Sequence, residues 1–213
     1  MTISLHHSNA ISASLTGASA RTRNLMVRTA VGLMQGGKTP SVSEAAEAAE
    51  VSRSTAYRYF PSQSALVEAV VDHALGPILK WDCPSQDAEA RVGDLLSSSN
   101  DRILEFEATF KAALGLSLAQ WAQMRSDGAL SGPRFQRGHR IKLLERALAP
   151  VRDQLSEAAF TRLTMALSLT FGLEVILVLK DIWAVEVDEM QDVAVWAARA
   201  LVRAAVAEAE QSV

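Results

Sequence analysis

The sequence predicts an all-α protein in which a small three-helix domain precedes a larger helical bundle. Apolar residues recur at helical spacing from Arg21 almost to the C terminus. No stretch shows the alternation of apolar and polar residues, bounded by turn residues, that predicts a β-strand. The chain has 213 residues, of which 49% are hydrophobic and 21% are charged, so it can bury the core of an ordinary globular protein.

The N-terminal part begins with a tail and one helix. Residues 1–20 are rich in Ser and Ala and lack the basic start and apolar run of a secretory signal. We therefore expect a disordered tail and a cytoplasmic protein. The apolar stripe from Leu25 to Leu33 then runs up to Gly36 and Gly37, and paired glycines are a strong helix stop.

Two short helices follow this first helix. Ser41 and Glu44 have the spacing of a capping box, which predicts a helix start. Residues 50–52 are typical of a turn, and Ser52 is placed to cap a further helix that covers residues 53–59. Pro61 ends that helix. Two helices of this length, joined by so short a turn, have the size of a helix-turn-helix.

The residue types of this pair also fit a helix-turn-helix. Small apolar residues fall where the two helices must touch, namely Ala45, Ala46, Ala49, Val51 and Ala56. The outer face of the second helix keeps polar and basic residues, namely Arg53, Ser54, Thr55, Tyr57 and Arg58. A short basic helix of this kind suits the major groove of DNA. The charge distribution agrees with DNA binding by this end of the chain, because residues 1–60 carry a net charge of +3 while the whole chain carries −3.

Residues 40–63, PSVSEAAEAAEVSRSTAYRYFPSQ, resemble the DNA-binding signature of the tetracycline-repressor (TetR) family of bacterial regulators. The resemblance extends from Arg21 to about Leu66, and residues 55–60 are its most specific part. It implies a helix-turn-helix DNA-binding domain over residues 21–66, after the tail of residues 1–20. Residues 67–213 would then form an effector-binding and dimerisation domain.

The resemblance also implies which residues contact double-stranded operator DNA. Arg53 and Ser54 stand at positions that read base edges, whereas hydroxyl groups mostly fix the register on phosphates. The implied contacts are Ser43, Arg53, Ser54, Thr55, Tyr57, Arg58, Tyr59 and Gln63.

The sequence departs from the family pattern at a few positions. Glu50 replaces a common Gly, and a left-handed conformation there costs roughly 1–2 kcal/mol. Ala45 and Ala56 replace larger aliphatic residues, so the small core is lightly packed. Gln63 replaces a Lys that often touches phosphate. Weaker non-specific DNA binding follows from this lost charge, without loss of the fold.

The remaining helices are predicted from residue 62 to about residue 79 and over residues 87–98, 101–125, 133–149, 156–183 and 188–210. The last of them carries an apolar stripe in which Ala is frequent, made of Val193, Trp196, Ala197, Ala200, Leu201 and Ala204. With the preceding helix it predicts a four-helix interface in a homodimer, which would match a palindromic operator. Packing of both helices within the monomer is the alternative.

Candidate residues for an effector pocket come from the middle of this bundle. They are Phe106, Phe110, Gln120, Trp121, Arg140, Met165 and Glu174. Glu174 lies in an apolar run, and a buried carboxyl group must be paired, be protonated or meet a ligand. An ion pair with Arg140, with Lys180 or across the dimer is the structural alternative. The aromatic and Met residues equally suit a plain core.

Taken together, the sequence predicts a dimeric transcription regulator, most often a repressor in this family, that a small-molecule effector releases from DNA. The alternatives are a helical interaction module or an activator with weakened DNA binding. We expect no enzyme, cofactor or metal site, because Cys83 and the histidines at positions 6, 7, 73 and 139 form no recognisable triad or metal cluster. Glu174 makes the apolar run of residues 163–179 a poor membrane span.

Overall fold

A computed structural model describes residues 17–130, 132–135 and 138–211 of the protein. Across these ranges every regular element is a helix, which confirms the predicted all-α fold. The helices are α1 (Gly17–Gln35), α2 (Val42–Ala48), α3 (Arg53–Tyr59), α4 (Gln63–Leu75), α5 (Ala88–Glu105), α6 (Glu107–Asp127), α7 (His139–Ala147), α8 (Glu157–Leu167), the single turn α9 (Leu173–Val175) and α10 (Val187–Glu210). Short 3₁₀ helices follow α4 (Gly76–Lys80) and α7 (Ala149–Gln154), and α9 continues as a π-helix (Ile176–Ile182).

The N-terminal domain consists of α1 to α4 around one apolar core. Each of its four helices buries side chains there, and Phe60, directly after α3, is among the largest fully buried side chains. The body contributes as well, since Phe106 and Leu116 from the α5–α6 region belong to the same core. The N-terminal domain is therefore packed directly on α6.

The local signals of α2 and α3 are confirmed by the structure. The Ser41 hydroxyl accepts a hydrogen bond from the Glu44 amide at 3.2 Å, and the Glu44 carboxylate accepts one from the Ser41 amide at 2.7 Å. Ser52 caps α3 by accepting a hydrogen bond from the Thr55 amide. Glu50 has the expected left-handed backbone, with a φ of 54°.

The capping box predicts a pH dependence of the N-terminal domain. The hydrogen bonds from Ser41 lower the pKa of the Glu44 carboxyl below its ordinary value of 4.5. A lowered pKa in the folded state stabilises the fold above the ordinary pKa, and this stabilisation is lost as the pH falls through the folded-state pKa. We expect Glu44→Gln to reduce the loss of stability between pH 5 and pH 3, measured by urea unfolding.

The exposed Glu47 on the same helix provides the control, since Glu47→Gln makes the same chemical change without touching the capping box. An NMR titration of Glu44 with a midpoint at or above the ordinary value would contradict this account.

The C-terminal body has its own core, formed mainly by α5, α7, α8, the π-helix and α10. α10 packs most extensively against α5 and buries one face, made of Met190, Ala194, Ala198, Val202 and Ala205. Phe110 of α6 packs against both cores and so lies between the body and the N-terminal domain.

A buried arginine connects two parts of this body. Arg91 of α5 is only 7% exposed, and its guanidinium lies over the Trp81 ring. It donates hydrogen bonds to the carbonyl oxygens of Arg146 and Ala147 at the end of α7 and to those of Cys83 and Ser85 before α5. A cation at a helix C terminus also interacts favourably with the helix dipole.

Two predicted boundaries near α5 and α6 are wrong. The break expected near residue 100 lies at Phe106, because Ser99 is buried, Asn100 hydrogen-bonds to Gln191 of α10 and Arg102 stacks on Phe106. The helix expected to start at residue 133 begins only at His139, because the Pro133 carbonyl is hydrogen-bonded to Ser64 of α4.

The long helix predicted over residues 156–183 is also interrupted. The hydroxyls of Ser168 and Thr170 donate back to the carbonyl oxygens of Thr164 and Leu167, and Gly172 has a φ of 102°. A Cβ atom at Gly172 would lie 3.2 Å from the Arg140 guanidinium, so the small residue suits this close approach.

Smaller differences concern the ends of two other helices. α1 begins at Gly17, inside the expected tail, while residues 1–16, with His6 and His7, lie outside the described residues. α4 ends at Leu75 rather than near residue 79, where the positive φ of Gly76 leads into the 3₁₀ helix.

Candidate nucleic-acid interface

α3 presents a polar face to solvent because its inner face is fully occupied. Ala56 and Phe60 are buried in the core of the N-terminal domain. The side chains on the opposite face are exposed, namely Arg53, Ser54, Tyr57 and Arg58. α3 therefore offers two guanidinium groups and two hydroxyls that could reach a groove of DNA.

Hydroxyl groups join α3 to its neighbours. The hydroxyls of Ser43 in α2 and Tyr57 in α3 are 3.3 Å apart and share a hydrogen bond. The Thr55 hydroxyl accepts a hydrogen bond from Ser52 at 2.9 Å, so it is partly engaged in capping. The structure thus brings Ser43 and Tyr57 together at the surface, while Thr55 is half-buried.

Tyr59 lies between α3 and the start of α1. Its hydroxyl hydrogen-bonds to Ser19 and accepts a hydrogen bond from Arg58, and these two bonds lower the pKa of Tyr59 below its ordinary value. Arg23 of α1 lies 5.3 Å above the Phe60 ring. The N-terminal turns of α1 therefore contribute to the basic surface around α3, which the sequence motif did not indicate.

Gln63 is engaged within the protein, whereas its position in the motif implies a contact with phosphate. Its side-chain amide donates hydrogen bonds to the carbonyl oxygens of Thr39 and Pro40, at 3.1 and 3.2 Å. Because the Gln63 amide donates to these two carbonyl oxygens, it is not placed to donate to a phosphate in this structure. Gln63 instead ties the first turn of α4 to the loop between α1 and α2.

The predicted pocket residues do not converge on one cavity. Phe106 is buried in the core of the N-terminal domain and Phe110 lies between the two cores. Gln120 is hydrogen-bonded to Ser64, and Trp121 is 64% exposed on α6. These four residues are therefore explained by packing, by a structural hydrogen bond or by the protein surface.

Glu174 is only partly buried, contrary to the expectation of a buried carboxyl group. It pairs with Arg140, which is the structural alternative that the sequence left open. Arg140 also donates to the Ser168 carbonyl oxygen at 2.8 Å. The pair therefore connects the start of α7 to both sides of the break after α8.

A groove of about 810 Å³ lies between α7, α8 and the 3₁₀ helix that joins them. Met165 is the one predicted pocket residue that lines it. Phe160 and Ile141 provide further apolar lining, and Glu145 and Asp153 contribute carboxylates.

The stripe predicted for dimerisation lies on the side of α10 that the protomer leaves uncovered. Trp196 is 69% exposed, and Val193 and Ala204 are exposed as well. Ala197, Ala200 and Leu201 are half-buried. The fully buried face of α10 consists of other residues, although Leu201 of the stripe packs against the core of the protomer.

Part of the sequence and the overall fold are similar to those of known proteins. Residues 35–70 match the family model for bacterial regulatory proteins of the tetR family. The fold is similar to the crystal structure of a TetR transcriptional regulator from Rhodococcus sp. RHA1, with a TM-score of 0.57 and 21% sequence identity over 85% of this chain and 96% of that chain. No curated protein matches the sequence. Among the described residues, no helix has the length and apolar character needed to span a membrane. The helix-turn-helix segment is thus similar to the DNA-binding region of the tetR family, and the overall fold is similar to that of a TetR transcriptional regulator.

Proposed function

We propose that this protein is a homodimeric repressor that binds a palindromic operator through α3 and leaves it when a small molecule binds to the body. The observation that carries this proposal is the exposed polar face of α3, opposite the buried side chains of Ala56 and Phe60. Arg53, at the first turn of α3, can donate two hydrogen bonds to a guanine, and the paired hydroxyls of Ser43 and Tyr57 can bind phosphate.

Exposed apolar residues at the C-terminal end of the chain support the dimer. Besides Val193 and Trp196 of α10, Leu169, Ile182 and Trp183 of the preceding segment are exposed. Large apolar side chains that a protomer leaves exposed become buried when they lie in a protein interface. A two-fold dimer through this surface would place two copies of α3 on one duplex, and two half-sites of a palindrome would then be read.

The groove between α7 and α8 is the effector site that we favour. Its volume of about 810 Å³ lies within the usual range of small-molecule sites. Apolar side chains such as Phe160 and Met165 line it. Arg152 of the lining is paired with Glu157, so the carboxylates of Glu145 and Asp153 leave the groove with negative charge. A small molecule with an apolar body and a positive charge therefore suits it.

The DNA-binding part is tested by gel shift with genomic fragments at moderate salt. We expect sequence-selective retardation by the wild-type protein, and a loss of affinity of at least about tenfold in Arg53→Ala, since a base-contacting arginine contributes about 1–3 kcal/mol. Tyr57→Ala is expected to weaken binding as well. Lys142→Ala removes one exposed positive charge from the body and provides the control.

Wild-type affinity in both α3 variants would show that α3 does not read the DNA. Absence of any selective retardation by the wild-type protein would favour the helical interaction module. A reporter gene placed behind a selected fragment separates repression from activation by the sign of its response.

A further inference from the structure

Gln120 of α6 connects three segments of the chain through its side-chain amide. Its Nε2 atom donates to the Ser64 hydroxyl at 2.9 Å and to the Pro133 carbonyl oxygen at 3.1 Å. Its Oε1 atom accepts a hydrogen bond from the Phe135 amide at 2.8 Å. We refer to these four residues, Ser64, Gln120, Pro133 and Phe135, as the Gln120 clamp.

The clamp holds the part of α4 that is closest to α3 in sequence. Ser64 is only 3% exposed, and its hydroxyl also donates to the Pro133 carbonyl oxygen at 2.7 Å. It stands in the first turn of α4, which begins four residues after the end of α3. Between the two helices Phe60 is buried in the core of the N-terminal domain. The first turn of α4 and α3 are therefore expected to move together.

A second connection ties the other side of the helix-turn-helix to α6. The Thr39 hydroxyl, in the loop before α2, donates to the Ala112 carbonyl oxygen at 3.1 Å. Gln63 joins the same loop to α4 through the Thr39 carbonyl oxygen. Besides the apolar packing on α6, the described residues join the helix-turn-helix to α6 by hydrogen bonds at two places. Of these two, the Gln120 clamp is the one that uses a polar side chain of α6.

We propose that Gln120 is a positioning residue for operator binding. It touches no DNA, but it holds the first turn of α4 against α6 and so sets the orientation of α3 relative to the body. In the dimer of the proposed function, on which this inference rests, that orientation determines the separation of the two copies of α3. Movement of α6 or of residues 132–135 would be transmitted to α3 through the same hydrogen bonds.

Loss of the clamp has a signature that differs from loss of a DNA contact. Without it the N-terminal domain samples more orientations, and the apparent Kd rises by the inverse of the fraction that remains competent to bind. The number of phosphate contacts is unchanged, so the slope of log affinity against log salt concentration stays the same. Removal of a residue that contacts phosphate instead lowers that slope by about one.

The test measures the Kd of Gln120→Ala for a DNA fragment that the wild-type protein selects from a random library. We expect the Kd to rise at least about fivefold, in the usual range of coupling between sites, with the salt slope of the wild type. Met124→Ala, an exposed change on the same helix, is expected to bind like the wild type. Hydrogen exchange without DNA is expected to be faster at the first-turn amides of α4 in Gln120→Ala only.

Gln120→Glu distinguishes positioning from a general loss of stability. Its carboxylate can still accept from Phe135, but it has no donor for Ser64 and faces the Pro133 carbonyl oxygen. We expect weak binding at pH 8 and partial recovery relative to the wild type as the pH is lowered to 5, because the facing Pro133 carbonyl oxygen disfavours the carboxylate and the protonated acid regains one donor.

The role of the clamp would be overturned if Gln120→Ala binds with the Kd of the wild type, lowers the salt slope, or leaves hydrogen exchange in α4 unchanged. It would also be overturned if Gln120→Glu shows no recovery of binding at low pH. If the wild-type protein selects no DNA sequence, the proposed function itself fails. That result is distinct from a clamp variant that behaves like the wild type.

Discussion

Arg91→Ala is expected to lower the free energy of unfolding by about 3–5 kcal/mol, because several carbonyl oxygens lose their donor at a cost of roughly 1–3 kcal/mol for each one that stays buried. The guanidinium bridges the end of α7 and the segment before α5, and its removal leaves the carbonyl oxygens of Arg146 and Ala147 without these bonds. An unsatisfied buried carbonyl is costly in itself, and a cavity beside Trp81 adds to the loss. Urea unfolding followed by fluorescence, at one protein concentration, measures the change.

Two further variants give this measurement its controls. Arg91→Lys keeps the charge but not the planar group of donors, so we expect an intermediate loss. Arg125→Ala removes an exposed arginine from α6 and is expected to change stability by less than about 0.5 kcal/mol. A loss below about 1 kcal/mol in Arg91→Ala would mean that the connection before α5 does not depend on this side chain.

Trp196→Ala is expected to weaken dimerisation at least about thirtyfold, which corresponds to the 2 kcal/mol or more typical of a tryptophan at the centre of an interface. The indole is 69% exposed in the protomer, so its removal leaves the core intact. Half-buried Ala197 and Ala200 beside it would let a partner helix approach closely. Sedimentation equilibrium over a range of concentrations measures the dimer constant, and circular dichroism verifies the fold.

Trp121→Ala is the matched control for dimerisation, because this tryptophan is similarly exposed but lies on α6. We expect it to leave the dimer constant unchanged. An unchanged constant in Trp196→Ala, or a wild-type protein that stays monomeric at all concentrations, would contradict the proposed interface. A weaker dimer should also bind the operator more weakly, because each subunit alone contacts one half-site.

Agreement between sequence and structure is best where the signals are local. The capping box of Ser41 and Glu44 and the Ser52 cap were predicted because each depends on residues within four positions of one another. The left-handed Glu50 was implied by the family resemblance. The family resemblance added the prediction that α3 reads DNA. The apolar stripe of α10 followed from helical periodicity alone, whereas the residues that the protomer buries on α10 are others.

Disagreement begins where distant residues decide a boundary or a side-chain role. The helix expected at residue 133 does not form there because Ser64, far away in sequence, holds the Pro133 carbonyl. Gln120 and Gln63 were assigned to a pocket and to phosphate, yet backbone groups of other segments take up their hydrogen-bonding capacity. Periodicity places such residues on a face of a helix but does not identify what lies opposite.

The sequence by itself therefore determined the helical class, the helix-turn-helix with its exposed polar face, and the apolar stripe of α10. These features follow from spacing, capping and periodicity over a few turns of helix. Only the tertiary structure decided that Glu174 pairs with Arg140, that Arg91 is buried against the end of α7, and that Gln120 holds the N-terminal domain. Polar side chains in a folded core take the partner that packing brings within hydrogen-bond distance, and that partner is often distant in sequence.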